Sequence, residues 1–208
     1  TLEGVPDVTW PGKIKYYALS SGTSESASKY IPVTKEMLRS NRINYIRQLL
    51  SLFTYEHLLR NAVPKGFLML GGATDLQKGK AGWFAGDLSG ILAKNRPFWF
   101  QTFYKPGGRI AKIKDWNEKL HEIVEKAPDW DIGYIVGVPA WCQMCMEMIV
   151  EHYKLNTIHD IWPNLGFFVH GGVAFEPYNN GYEKLLGKPI VYIENYLSSE
   201  GFEIGRAS

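Results

Sequence analysis

The chain has 208 residues, 45% hydrophobic and 21% charged, with a formal net charge of +2 at pH 7. That length buries the core of one globular domain, or of part of a larger one, and an aromatic share of 14% supplies bulky side chains. Basic residues are scattered and no apolar run approaches the roughly 20 residues of a membrane span, which argues against nucleic-acid and membrane partners. Two cysteines cannot build a disulfide framework, so a reducing cytoplasm is the expected compartment.

A β-type run from Ile14 to Leu19 leads into the Ser-rich stretch "SSGTSESASKYIP". After Pro32, Thr34 is placed to cap a helix in which Ile46, Leu49, Leu50 and Phe53 fall at i, i+3, i+4 and i+7. "GFLMLGG" (66–72) reads as a short buried strand closed by two glycines. "KGKAGWFAGDLSG" (78–90) reads as a glycine-rich turn region with an exposed Trp83–Phe84 pair. Ile113, Trp116, Leu120, Ile123 and Val124 mark a second amphipathic helix that ends before Pro128.

From there strand and helix alternate. "IGYIVGVP" (132–139) is a strand whose last residue, Pro139, opens a helix running to about Lys154. "GFFVHGG" (166–172) is the next strand, a short helix near 182–186 stops at Gly187, and "PIVYIEN" (189–195) is another strand. The pattern predicts an α/β fold of layered, largely parallel sheets flanked by helices. Ligands of such sheets sit at the carboxyl ends of the strands. The Ser-rich loop, "HGGVAFEP" and "NYLSSEGF" all fall there.

Hydroxyls, backbone N–H groups around Gly22 and the terminal Lys29 suit phosphate oxygens, although the spacing does not fit G-x-x-x-x-G-K-[ST]. The same composition also suits a polar connector. "WCQMC" (141–145) carries a C-x-x-C at a helix start, as redox sites do. Cys142 and Cys145 share one apolar helical face with Met146, Ile149, Val150 and Tyr153, so core thiols are the expected reading. His170 is expected to be a hydrogen-bonded structural residue, and the glycine pair after it lets a flat ligand approach the backbone. His57, His121, His152 and His159 read as solvated. Glu200 reads as a magnesium ligand or as an ordinary solvated glutamate. Asp87, Asp129 and Asp131 read as turn residues, and Trp83, Trp99 and Phe103 as core rather than the wall of an aromatic acid pocket.

In order, "SSGTSESASKYIP", "WPNLGFFVHGGVAFEPY" and "YIENYLSSEGF" resemble the acyl-acid amido synthetases of the auxin-responsive Gretchen Hagen family, in their bacterial form. That family is part of the adenylate-forming, firefly luciferase-like superfamily, and the likeness runs from about Asp7 to Phe202. It implies an ATP- and Mg²⁺-dependent ligase that adenylates a small carboxylic acid and transfers the acyl group to an amino acid. Ser20, Ser21, Gly22, Thr23 and Ser24 would form the phosphate loop, with Lys29 near its end as a catalytic cation. Gly171, Gly172 and Val173 would pass the adenine. In the Y-x-S-S-E segment Tyr196 would pack by the base, beside Ser198 and Ser199, and Glu200 would serve Mg²⁺ as the metal-binding and catalytic carboxylate. Glu25 and Ser26 depart from the pattern, where many relatives carry a glycine, and stay outside the site.

The resemblance leaves two alternatives: a thiol acceptor such as coenzyme A, or a non-catalytic nucleotide-binding homologue. Thr1 opens the chain without methionine, and "EIGRAS" (203–208) reads like a translated sequencing adapter. The expectation is therefore a fragment. Residues 1–202 would be part of an adenylate-forming domain, 203–208 a non-native tail, and the C-terminal domain absent.

Overall fold

The computed structural model describes residues 2–19 apart from 4 and 9, then 29–54, 62, 65–197 and 202–207; the side chains at 53, 99, 197 and 202–207 are not described. Among the described residues ten strands form two sheets. The smaller has the order β2–β1–β5–β4, built from β1 (Tyr16–Leu19), β2 (Tyr30–Val33), β4 (Gln77–Lys78) and β5 (Phe84–Gly86). The larger has the order β10–β9–β8–β7–β3–β6, from β3 (Gly66–Leu70), β6 (Tyr104–Lys105), β7 (Ile132–Gly137), β8 (Phe167–His170), β9 (Val191–Leu197) and β10 (Phe202–Ala207). Strands β9, β8, β7, β3 and β6 are all parallel, so the layered, largely parallel sheet read from the sequence is present. β10 joins as an antiparallel edge, pairing Glu203 with Tyr196 and Ile204 with Asn195; part of the stretch read as a tail thus lies in the sheet.

The parallel strands are apolar on both faces because helices cover both. One face carries the row Leu68, Ile135, Phe168 and Tyr192, aligned by register. Against it pack α3 (Trp116–Lys126), α4 (Pro139–Tyr153) and α5 (Asn179–Leu185) through Leu120, Ile123, Cys142, Met146, Ile149 and Tyr182. Each fully buried side chain there contributes about 1.5–3 kcal/mol of burial. Local chemistry sets the helix ends. Asp115 caps α3 by accepting from the Glu118 N–H at 2.8 Å, and Pro139 occupies a first-turn position of α4 where its missing N–H costs nothing. Lys154 ends α4 in the left-handed region (φ 53°), and the Leu155 N–H returns to the Val150 carbonyl.

The opposite face carries the row Met69, Val136, Val169 and Ile193, covered by α1 (Lys35–Ser51) and α2 (Leu88–Lys94). Thr34 caps α1 as expected, its hydroxyl accepting from the Met37 N–H. The expected stripe on α1 is only partly buried: Leu49 packs against the core. Ile46 and Leu50 are exposed (40% and 59%), whereas Asn41 and Gln48 are buried. The stretch 78–90 is not only turn: it holds β5 and the first residues of α2. Trp83 is not an exposed residue but packs edge-on against Tyr17 and Tyr30 at 5.5 and 5.6 Å. Pro32 sits in β2, an edge strand, where its lost donor is tolerated.

Candidate functional site

Two features stand on the larger sheet: a strand-end surface and an apolar cavity. At the carboxyl end, His170 of β8 pairs with Glu194 of β9, so the residues after them lie side by side. A Cβ on Gly171 would sit inside contact distance of the Asn195 carbonyl oxygen, so only glycine allows the approach. Gly172 has φ +86°, in the left-handed region. Val173 and Tyr196, 44% and 61% exposed, flank this close approach as apolar surface. The structure thus brings together Gly171, Gly172, Val173 and Tyr196. Lys29 is exposed and immediately precedes β2 in the smaller sheet. Ser20, Ser21, Gly22, Thr23 and Ser24, and Ser198, Ser199 and Glu200, lie outside the described residues, as do Glu25 and Ser26.

His170 is 5% exposed and stacks on Phe175 at 4.7 Å, with Phe168 and Tyr192 also around it. It is packed among these rings, and its buried Nδ1 has no hydrogen-bond partner among the described residues. Burial pushes its pKa down, and Glu194 and Glu176 pull the other way. These residues edge an open cleft of about 840 Å³, whose lining also includes Glu183 and Lys188. His159 is not a solvated position: its Nε2 faces the Leu165 carbonyl at 3.0 Å and its Nδ1 accepts from the Gly187 N–H at 3.0 Å. That pair of partners assigns the neutral tautomer protonated at Nε2.

The cavity of about 160 Å³ lies between α1, α2 and the Met69–Val136–Val169–Ile193 row. Phe67, Tyr104 and Tyr134 continue its floor toward the strand starts. Burial pushes Tyr45 and Tyr134 up to about 12, so both line it as neutral phenols. Two guanidinium groups, Arg42 and Arg96, also line it, and no carboxylate does among the described residues. Arg96 lies over the Tyr104 ring at 4.0 Å and its Nη1 donates to the Ala93 carbonyl. The sequence reading missed this pocket, because its walls come from residues that each look like core. The one signal was the alternation Phe67, Met69 and Tyr134, Val136 on adjacent strands.

Cys142 and Cys145 are free, buried thiols in the core, as read from the sequence. Burial pushes Cys145 up to about 12 and Cys142 higher than an ordinary thiol, the opposite of a redox nucleophile. Among the described residues no group of three or more His, Cys, Asp or Glu side chains is placed to hold a metal. No helix among them is long and apolar enough to cross a membrane.

A family model described as the GH3 family N-terminal domain matches residues 1–124, more than half of the chain. No curated protein matches it. A solved structure described as a GH3.15 acyl acid amido synthetase superposes with a TM-score of 0.68 at 16% identity, over 97% of this chain and 43% of the other. A second, AtGH3.15 acyl acid amido synthetase in complex with 2,4-DB, gives 0.65 at 17% identity, over 95% and 43%. At these identities the likeness establishes the fold. The chain spans under half the length of these solved proteins.

Proposed function

This chain belongs to the GH3 family, and on that premise we propose that it is the acid- and nucleotide-binding part of an acyl acid amido synthetase. In the reaction a carboxylate oxygen attacks the α-phosphorus of ATP and pyrophosphate leaves. An amine, of an amino acid in this reading, then attacks the acyl carbon and AMP leaves as the amide forms. A carboxylate is a poor electrophile, so the chain's task is to align it with the phosphate and stabilise the spreading charge.

The cavity carries this reading. It is apolar, holds Arg42 and Arg96 with no carboxylate among the described residues, and is roofed by the helix that follows the Ser-rich loop. An engineered apolar cavity of about 150 Å³ binds benzene, so a volume of about 160 Å³ suits an acid of roughly one ring. Gly171 and Gly172 present bare backbone between Val173 and Tyr196, which fits a flat purine. We assign the phosphates to Ser20–Ser24 and Lys29, further nucleotide contacts to Ser198 and Ser199, and the metal to Glu200. Mg²⁺, when bound there, would neutralise phosphate charge. The complete reaction is proposed for a longer protein, with 1–202 as its partial ATP-binding domain.

Thermal unfolding tests the nucleotide half. Mg²⁺-ATP at 100 times its dissociation constant stabilises by about 2.7 kcal/mol, which raises the unfolding midpoint by a few degrees. Calorimetry with 4-methylbenzoate tests the acid half, with saturable binding expected. No response to either ligand overturns the proposal. Acid-dependent pyrophosphate exchange by the 208-residue chain alone would overturn the assignment of the full reaction to a longer protein.

A further inference from the structure

The open cleft of about 840 Å³ shares no lining residue with the apolar cavity and has no part in the reaction proposed above. Its volume falls within the range of roughly 300–1,000 Å³ usual for small-molecule sites. β9 contributes Tyr192 and Glu194 to it, α5 contributes Glu183, and Glu176 lies between β8 and α5. The three glutamates are all exposed, and none forms an ion pair among the described residues. The ammonium in the lining, Lys188, donates its Nζ to the Pro163 carbonyl. On a chain of formal net charge +2, three carboxylates against one committed ammonium reverse the local sign.

The same cleft is lined by rings. Phe175 stands 4.8 Å from Tyr192 and 4.7 Å from His170, and His170 and Tyr192 are 6.4 Å apart. The carboxylates bear on these rings, Glu194 and Glu176 on His170 and Glu183 on Tyr192. His170 adds an independent mark of a ligand, being only 5% exposed. Its Nε2 forms no hydrogen bond among the described residues and, unlike Nδ1, is not sealed from solvent; this cleft is an opening that His170 lines. With its pKa held below 6.5 by burial, the imidazole is neutral at pH 7 and adds an acceptor rather than a competing charge.

This lining repels anions. Among the described residues no three such groups are placed to hold a metal ion, so the carboxylates surround a larger cation instead. Aromatic faces attract organic ammonium groups and pack against their methylenes. We propose that the cleft binds a small organic diamine, doubly protonated, with its ammonium groups among Glu176, Glu183 and Glu194 and its hydrocarbon chain beside Phe175 and Tyr192. Two ammonium groups match the excess of carboxylate over ammonium in the lining.

The test titrates the 208-residue chain with 1,4-diaminobutane, 1-aminobutane and 1,4-butanediol, followed by NMR. The diamine is expected to bind saturably, about two- to fivefold tighter than the monoamine, since each exposed ion pair contributes modestly, and the diol is not expected to bind. The ring signals of His170, Phe175 and Tyr192 are expected to move, and those of Tyr134 in the apolar cavity to stay. Glu183→Gln is expected to weaken the diamine about two- to fivefold. Glu118→Gln, the same charge change at an exposed position on α3 outside the cleft, is expected to leave it unaltered. A diol that binds as well as the diamine, an unchanged affinity in Glu183→Gln, or equal losses in both variants overturns the inference. If trilysine moves these ring signals and the diamine does not, the cleft is a surface for a basic peptide and the small-molecule assignment falls.

Discussion

Replacing Gly171 with alanine probes the one backbone contact on which the strand-end surface depends. A Cβ there would lie 3.2 Å from the carbonyl carbon of Asn195, 2.9 Å from its Oδ1 and closer still to its carbonyl oxygen. An ordinary carbon–oxygen approach is about 3.3–3.6 Å, so the β9 backbone must retreat by roughly 1 Å just beyond the His170–Glu194 pair. The obstacle is main chain in a paired strand, not the tip of a flexible side chain, which makes the shift expensive. Overpacking costs about 1–3 kcal/mol, and the reduced freedom of the unfolded chain returns about 0.4–1. A net loss of about 1–2 kcal/mol is expected, read as a lower urea midpoint at unchanged slope. Gly172→Asn is the control. Its φ of +86° lies in the left-handed half of the map that asparagine visits, and its nearest neighbour, Val138 Cγ2, is 3.5 Å away, so a change within about 0.5 kcal/mol is expected. A Gly171→Ala chain as stable as wild type refutes the close approach. Equal losses at both positions would show that conformational strain, not the Asn195 contact, sets the cost.

The thiols and the histidines give two further expectations. Cys142 and Cys145 are at most 1% exposed with pKa values pushed up, so iodoacetamide at pH 8 should alkylate them only as fast as the chain opens, and rapidly in urea; a native rate equal to that of a free thiol contradicts this. His159 and His170 both have pKa values held below the ordinary 6.5, chiefly by burial. The unfolded chain then binds more protons below pH 6.5, so the urea midpoint should fall as pH drops from 7 toward 5, and fall less in His159→Gln; a flat profile contradicts it.

The parallel strands were legible because burial on both faces writes them as continuous apolar runs, as in "IGYIVG" and "FFVH". α1 was legible as a helix through its Thr34 cap, but not in its orientation. Of the stripe Ile46, Leu49 and Leu50, Leu49 packs against the core and Ile46 lines the cavity while 40% exposed, whereas Leu50 is 59% exposed and Gln48 is buried. Amphipathic patterning assumes that a polar side chain prefers water, so it fails where a polar residue such as Gln48 is buried. The stretch 78–90 failed for a related reason. Gly86 and Gly90 there are packing glycines, pressed against Leu76 and Ala73, and glycine spacing alone does not separate close packing from a turn.

The two faces of the larger sheet show why the glycine pair was legible and the cavity was not. Leu68, Ile135, Phe168 and Tyr192 on one face, and Met69, Val136, Val169 and Ile193 on the other, are equivalent rows in the sequence, both apolar and both of strand period. On the first, Phe168 stacks on Tyr182 at 4.9 Å and helices α3–α5 fill the remaining space. On the second, two valines stand at the centre, and α1 brings Arg42, Tyr45 and Gln48 to the cavity as well as Leu38, Ile46 and Leu49. Small side chains under this mixed roof leave a void of about 160 Å³. The difference lies in the pairing of a sheet face with its covering helix, a relation between residues tens to more than a hundred positions apart, and no local period records it. Gly171 and Gly172, by contrast, announce a backbone requirement within their own few residues. Motif reading therefore reached the strand-end glycines, and only the fold exposed the cavity.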